Sequence, residues 1–176
     1  MKKKVLVLSI LLHALLLTTV YVFQGVIFPF MRLGGLVPLL LPVAATGIAL
    51  YEGRYTGGVA GLFAGILCDI SFNQPAGVFT VFLTLTGLIV GTLADTVILR
   101  GFVTYYLCCT AVLIVSAFIQ MLQMIILPVD NISVNILLPT ALQQTIYSLV
   151  MALPIWFFVR ALGNWIDKVS PSGRTY

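Results

Sequence analysis

The chain has 176 residues, of which 61% are hydrophobic and 8% charged, with a formal net charge of +4. Its mean hydropathy is +1.15. A soluble domain is about a quarter charged, and a soluble fold of this size has too little interior to hide so much apolar surface. The composition therefore excludes a soluble globular domain and points to a polytopic membrane protein.

Apolar runs bounded by turn residues fall at 5–28, 33–51, 57–70, 78–98, 102–127 and 136–160. They predict an all-α polytopic membrane protein, six transmembrane helices in a single domain spanning residues 1–176. The first run follows Met1-Lys2-Lys3-Lys4 and imitates a secretory signal. It is longer than a signal's apolar region of about 7–15 residues, and no A-x-A site follows, so it reads as the first span. Pro38 and Pro42 share one face of the second run and are expected to kink it. The third run, 57–70, covers only about 21 Å at roughly 1.5 Å per residue. A helix starting near Glu52, with Arg54 snorkelling to the interface, makes up the shortfall. A short helix there is expected in the middle of the bundle, where it sees little lipid.

The basic residues decide the number of crossings. With six spans and an inside N-terminus, Lys2, Lys3, Lys4, Arg54, Arg100, Arg160, Lys168 and Arg174 are cytoplasmic, and Arg32 alone is outside. Without the third span, only Lys2, Lys3, Lys4 and Arg54 stay inside. The expected location is a cell membrane, multi-pass, with both termini in the cytoplasm. The net charge is accounted for by this topology, with no nucleic-acid partner. The outer connections are then 29–32, 71–77 and 128–135, the second carrying the turn cluster Asn73-Gln74-Pro75-Ala76-Gly77. Asn131-Ile132-Ser133 fits a glycosylation pattern by chance in a loop close to the membrane. The tail after Leu162 reads as a frayed terminus.

The third run carries Gly57, Gly61, Gly65 and Asp69 at four-residue spacing, which puts all four on one helix face. The fourth run repeats the spacing with Gly87, Gly91 and Asp95. Rows without side chains let another backbone approach closely. Gly57, Gly61, Gly65, Asp69, Gly87 and Gly91 are therefore the expected helix-packing or partner interface, inside the bundle or against a partner's span. For Asp69, a specific inward contact stands beside a helix-end carboxylate that reaches headgroup water. Asp95 is expected to pair locally with Arg100 or to snorkel. The two acids lie near opposite surfaces and cannot form a catalytic or metal-binding pair.

Gln120 and Gln123 share a face of the fifth run with Ser116, and Gln143 and Gln144 lie in the sixth beside Thr140 and Tyr147. Counted from the loop between them, the four glutamines match in depth and form an outer polar cluster. It is either a set of interhelical amide bonds or a small polar cavity. His13, the single histidine, reads as a hydrogen-bonded interior residue. Cys68, Cys108 and Cys109 read as small hydrophobes. Pro154 is expected to kink the sixth span, and Pro139 to sit in its first turn. No Ser/His/Asp set, HExxH or P-loop is visible. The reading is a protein that is not an enzyme, with no catalytic, cofactor-binding or metal residues.

The stretch from Gly57 to Gly91 resembles the MreD family of rod-shape-determining proteins. The glycines lead to Gly65-Ile66-Leu67-Cys68-Asp69-Ile70, then to a polar turn ending at Gly77 and an apolar helix with its own glycines. The end, Leu153-Pro154-Ile155-Trp156-Phe157-Phe158-Val159-Arg160, is similar too. Family members often begin span two with a Pro/Asp or Pro/Asn pair, where this chain has Arg32-Leu33-Gly34-Gly35. The resemblance implies a non-enzymatic scaffold of the bacterial elongation machinery, sitting with an MreC-like membrane-anchored protein. Together the two are linked to MreB, RodA and a penicillin-binding transpeptidase. It also implies a bundle similar to the S components of energy-coupling-factor transporters. A vitamin-binding S component is the alternative function, opposed by short outer loops and by Ala14 standing alone where paired alanines would dock a coupling subunit.

Overall fold

The computed structural model describes residues 2–27, 37–72, 77–96, 101–126 and 134–169, and all regular structure among them is helical. Helix α1 covers Lys2–Val22 and runs into a π-helical segment, Phe23–Ile27. Then come α2 (Leu40–Glu52), α3 (Arg54–Phe72), α4 (Val78–Thr96), α5 (Phe102–Ile126) and α6 (Val134–Val169). Four windows are long and apolar enough to cross a membrane: Ser9–Val26, which runs from α1 into the π-helical segment, Val78–Thr96 in α4, Phe102–Gln123 in α5 and Pro139–Gly163 in α6.

The short central helix is α2, not the third segment as its run length predicts. Every residue from Leu40 to Leu50 is buried, and α2 touches all five other helices. Its Ala44, Ala45, Gly47 and Ala49 keep the profile thin enough for neighbours to close round it. A side chain at Gly47 would press on the Tyr105 ring at 3.1 Å. The third segment is longer than its apolar run, with 19 residues. Its exposed stripe of Val59, Leu62, Ile66 and Ile70 faces outward. Hydropathy misjudged both because glycine, tyrosine and aspartate dilute α3, whereas Val37, Pro38 and Leu39 of the apolar second run lie before the helix.

Pro38 and Pro42 mark where α2 begins rather than bending it. Pro38 precedes the helix and Pro42 lies in its first turn, where a missing N–H costs nothing. At the other end a single residue, Gly53, separates α2 from α3. Its φ of 84° is one that glycine adopts freely. The helix therefore starts at Arg54, whose guanidinium lies over the exposed Tyr55 ring at 4.7 Å. In α6 both Pro139 and Pro154 lie inside one continuous helix of 36 residues, so Pro139 is not in the first turn. The Tyr105 and Tyr106 hydroxyls donate to the carbonyls of Ala152 and Leu149, just before Pro154. The carbonyl that the proline ring itself deprives of a backbone donor is that of Val150, which lies between those two.

Tyr51, Phe102 and Tyr105 stack on Trp156 with centroids 5.1–5.7 Å from its ring. This closes the bundle at the end where α2 finishes. Threonines on outward faces hide their hydroxyls by donating back one turn, Thr18 to Ala14 and Thr86 to Phe82.

Candidate helix-packing interface

The glycine rows face each other. A Cβ at Gly61 would collide with the carbonyl of Leu83, one at Gly65 with the backbone of Thr80, and one at Gly87 with the carbonyl of Gly57. At Gly91 it would sit 2.5 Å from Arg54 Cα, and at Gly57 2.7 Å from Ala49 in α2. In each case the obstacle is backbone, which cannot swing aside as a side chain does. The rows therefore bring α3 and α4 into direct main-chain contact, with α2 behind them. The inward stripe of α4 (Phe79, Leu83, Gly87, Val90, Gly91, Ala94) keeps the helical spacing that this requires. Between the two positions the sequence left open, inside the bundle or against a partner's span, the glycines lie inside.

Both acids close this hairpin. Asp69 accepts hydrogen bonds from the backbone N–H of Gly77 at 2.9 Å, Phe79 at 3.0 Å and Thr80 at 3.1 Å, and from the Thr80 hydroxyl at 2.6 Å. Those amides are the ones a helix N-terminus leaves unsatisfied, and a carboxylate there also meets the positive end of the helix dipole. Asp69 thus caps α4 from the last turns of α3. Of the two accounts open for Asp69, the structure contains the inward contact. Asp95 makes the mirror contact, accepting from Arg54 N–H at 3.1 Å at the start of α3. The expected local partner of Asp95, Arg100, lies outside the described residues.

The four glutamines do not form one cluster. Phe102 and Tyr105 stack on Trp156, and the Tyr106 hydroxyl reaches Leu149, which fixes the register of α5 against α6. Continued along two antiparallel helices of equal rise, that register puts Gln120 roughly two turns and Gln123 roughly two and a half turns further out than Gln144. Counting from the loop missed this because the helix ends do not coincide with the apolar runs. Gln144 donates to Val37 O at 2.9 Å, Ser148 receives Leu39 N–H at 2.8 Å, and Gln24 Oε1 receives Leu40 N–H at 3.1 Å. These three side chains satisfy the start of α2. Gln143 points outward and is exposed. The amide nitrogens of Gln120 and Gln123 are buried without a hydrogen-bond partner among the described residues.

Gln24, Ser148, Thr80 and Glu52 are the residues the sequence did not single out. Gln24 was visible as a lone amide in an apolar run. Glu52 was not, because its partner comes from another helix. It ends α2 with only 8% of its side chain exposed, 4.0 Å from His13 Nε2 and 3.5 Å from the Ser9 hydroxyl. His13 Nδ1 donates to Ser9 O at 2.7 Å, which leaves Nε2 turned toward Glu52. This group ties α1 to the end of α2. Beside it an apolar cleft of about 60 Å³ lies between α1 and α3, lined by Ile10, His13, Leu17, Val59 and Phe63 among others.

Cys68 and Cys109 are buried and Cys108 half-buried, all free thiols. Among the described residues no group of three or more His, Cys, Asp or Glu is placed to hold a metal ion. The sequon at Asn131 and the loop 29–32 fall outside the described residues.

A helical chain with several spans, organised around main-chain contact between helices, is a multi-pass membrane protein. It belongs to the MreD family: the model for rod shape-determining protein MreD matches residues 2–165. No curated protein and no solved structure matches the chain.

Proposed function

We propose that this rod shape-determining membrane protein acts as a non-enzymatic scaffold of the cell-elongation complex. It would hold an MreC-like membrane-anchored protein and, through it, connect MreB with peptidoglycan synthesis by RodA and its transpeptidase. The observation that carries this reading is the α3–α4 hairpin. Two glycine rows in backbone contact and a carboxylate cap at each end make a stiff element, which suits a platform on which other spans align. Gln144 and Asp69, which a vitamin-binding subunit would turn toward a ligand, are engaged on the start of α2 and the start of α4. The proposed topology is six crossings with both termini in the cytoplasm, supported by the distribution of lysine and arginine.

Depleting the protein from a rod-shaped host is expected to give round cells, and affinity capture from the membrane fraction is expected to recover an MreC-like protein. Capture of no elongation protein, together with nanomolar binding of a vitamin by the purified chain, would replace this reading. Reporters active only in the cytoplasm should give signal at both termini.

A further inference from the structure

The buried group that ties α1 to the end of α2 has a proton to place. His13 Nδ1 lies 2.7 Å from Ser9 O, and a carbonyl oxygen only accepts, so Nδ1 carries a hydrogen. The Ser9 hydroxyl directs its own hydrogen to Glu52 Oε2 at 3.5 Å. Nε2 then faces Glu52 Oε1 at 4.0 Å, with 3% of the His13 side chain and 8% of the Glu52 side chain exposed. A bare Nε2 opposite an ionised carboxylate sets one acceptor against another, and a carboxylate is costly to bury beside a group that cannot compensate it. One additional proton removes the conflict. It sits either on Nε2, as an imidazolium beside a carboxylate, or on the carboxyl, as a neutral acid beside an imidazole. The chain's own helices make the enclosure, so the argument holds at whatever depth the group lies.

Ionisable and polar neighbours on the surrounding helices are engaged elsewhere. On α2, Tyr51 stacks on Trp156. On α3, the Arg54 guanidinium donates to the Tyr55 hydroxyl at 2.9 Å and lies over its ring, while Thr56 lines the cleft beside His13. On α4, Asp95 accepts from Arg54 N–H and lies against Gly53. On α6, Arg160 lies over the Trp156 ring at 5.8 Å. Where α6 approaches Glu52 it offers only Gly163, whose missing side chain would begin 3.9 Å from Oε1.

We propose that Ser9, His13 and Glu52 form a proton-binding site that locks α1 onto α2. At the opposite end of α2 the tie is Gln24, which receives Leu40 N–H and has no proton to lose in the ordinary pH range. The lock is therefore at the Glu52 end. Loss of its proton leaves two facing acceptors beside the apolar cleft of about 60 Å³ that His13 lines, and that end of α1 is released from α2. The site needs no elongation partner, so its test is separate from that of the scaffold role.

The test follows unfolding of the full chain in detergent from about pH 6 to about pH 9. His13 is the single histidine, so a variant without it isolates the group's titration, while the thiols and the N-terminus stay common to both proteins. Above about pH 6.5 the imidazole of the unfolded chain has given up its proton, whereas the folded pair keeps one. Stability is therefore whole below that pH and falls as pH rises, the unfolding constant growing by up to tenfold per pH unit. His13→Gln and Glu52→Gln are each expected to remove this slope. Ser148→Ala, which weakens the start of α2 instead, should keep it. Magnetic resonance of the isotope-labelled wild-type chain at about pH 7.5 should find one proton shared between Nε2 and the Glu52 carboxyl. A wild-type profile parallel to that of His13→Gln would overturn the proposal. So would a bare Nε2 beside an ionised Glu52 carboxylate.

Discussion

Asp69 and Asp95 cap each other's helices. Asp69, near the end of α3, receives the first amides of α4, and Asp95, near the end of α4, receives the first amide of α3. An antiparallel pair always sets one helix's end beside the other's beginning, so a carboxylate in each last turn meets the positive end of its neighbour's dipole. The two arms differ in weight. Asp69 takes four hydrogen bonds, whereas Asp95 is exposed at the bundle's end.

Asp69→Ala is therefore expected to lower stability by about 2–3 kcal/mol, because it strands several donors together. Asp69→Asn, which keeps an acceptor oxygen, should fall between the two. Thermal unfolding in detergent measures both. Equal melting of Asp69→Ala and wild type would rule out the cap.

The glycines separate by what their missing side chains would meet. Gly61→Ala drives a methyl into the Leu83 carbonyl and should cost about 3 kcal/mol, since backbone must move. At Gly58 the obstacle is the end of the Leu88 side chain, and at Gly25 nothing lies within 4 Å. Alanine at those two positions should cost less than about 1 kcal/mol. A melting series that fails to rank Gly61 far above Gly25 contradicts the packing described.

Ser148→Ala removes the acceptor for Leu39 N–H at the buried start of α2. The expected loss is about 1–2 kcal/mol. Ser148→Thr should recover part of it by restoring the hydroxyl, and the comparison needs only the same melting measurement.

His13 and Glu52 should behave as a unit. The variants His13→Ala and Glu52→Gln each weaken the α1–α2 tie, and together they should cost less than the sum. The expected coupling is about 1 kcal/mol for side chains in contact. Additive effects in a double-mutant cycle would mean that the 4.0 Å approach carries no energy.

The particular residues divide by the kind of information they need. Glycine spacing along one helix is a local property, so the four-residue interval alone places Gly57, Gly61, Gly65 and Asp69 on a common face. Which helix is central could not be read, because lipid-facing and core-facing side chains are equally apolar in a membrane bundle. Hydropathy therefore ranked the third segment as the short one, when α2 was the one surrounded.

Glu52 escaped notice for a related reason. Its partners, His13 and Ser9, are about forty residues away in the chain, and only the closing of α1 against α2 brings them near. The depth of the glutamines failed likewise, since it depends on the register between α5 and α6. Aromatic stacking on Trp156 sets that register, and loop length does not.

By itself the sequence determined the solvent, the run of helices, the glycine faces and the family likeness, all of which follow from composition and spacing within single segments. Tertiary structure alone decided that the two glycine rows meet, that each aspartate serves the neighbouring helix, and that α2 lies at the centre. Those outcomes depend on how separate helices are set against one another, and in hydrocarbon that is settled by side-chain shape and hydrogen bonding across the contact rather than by hydrophobicity.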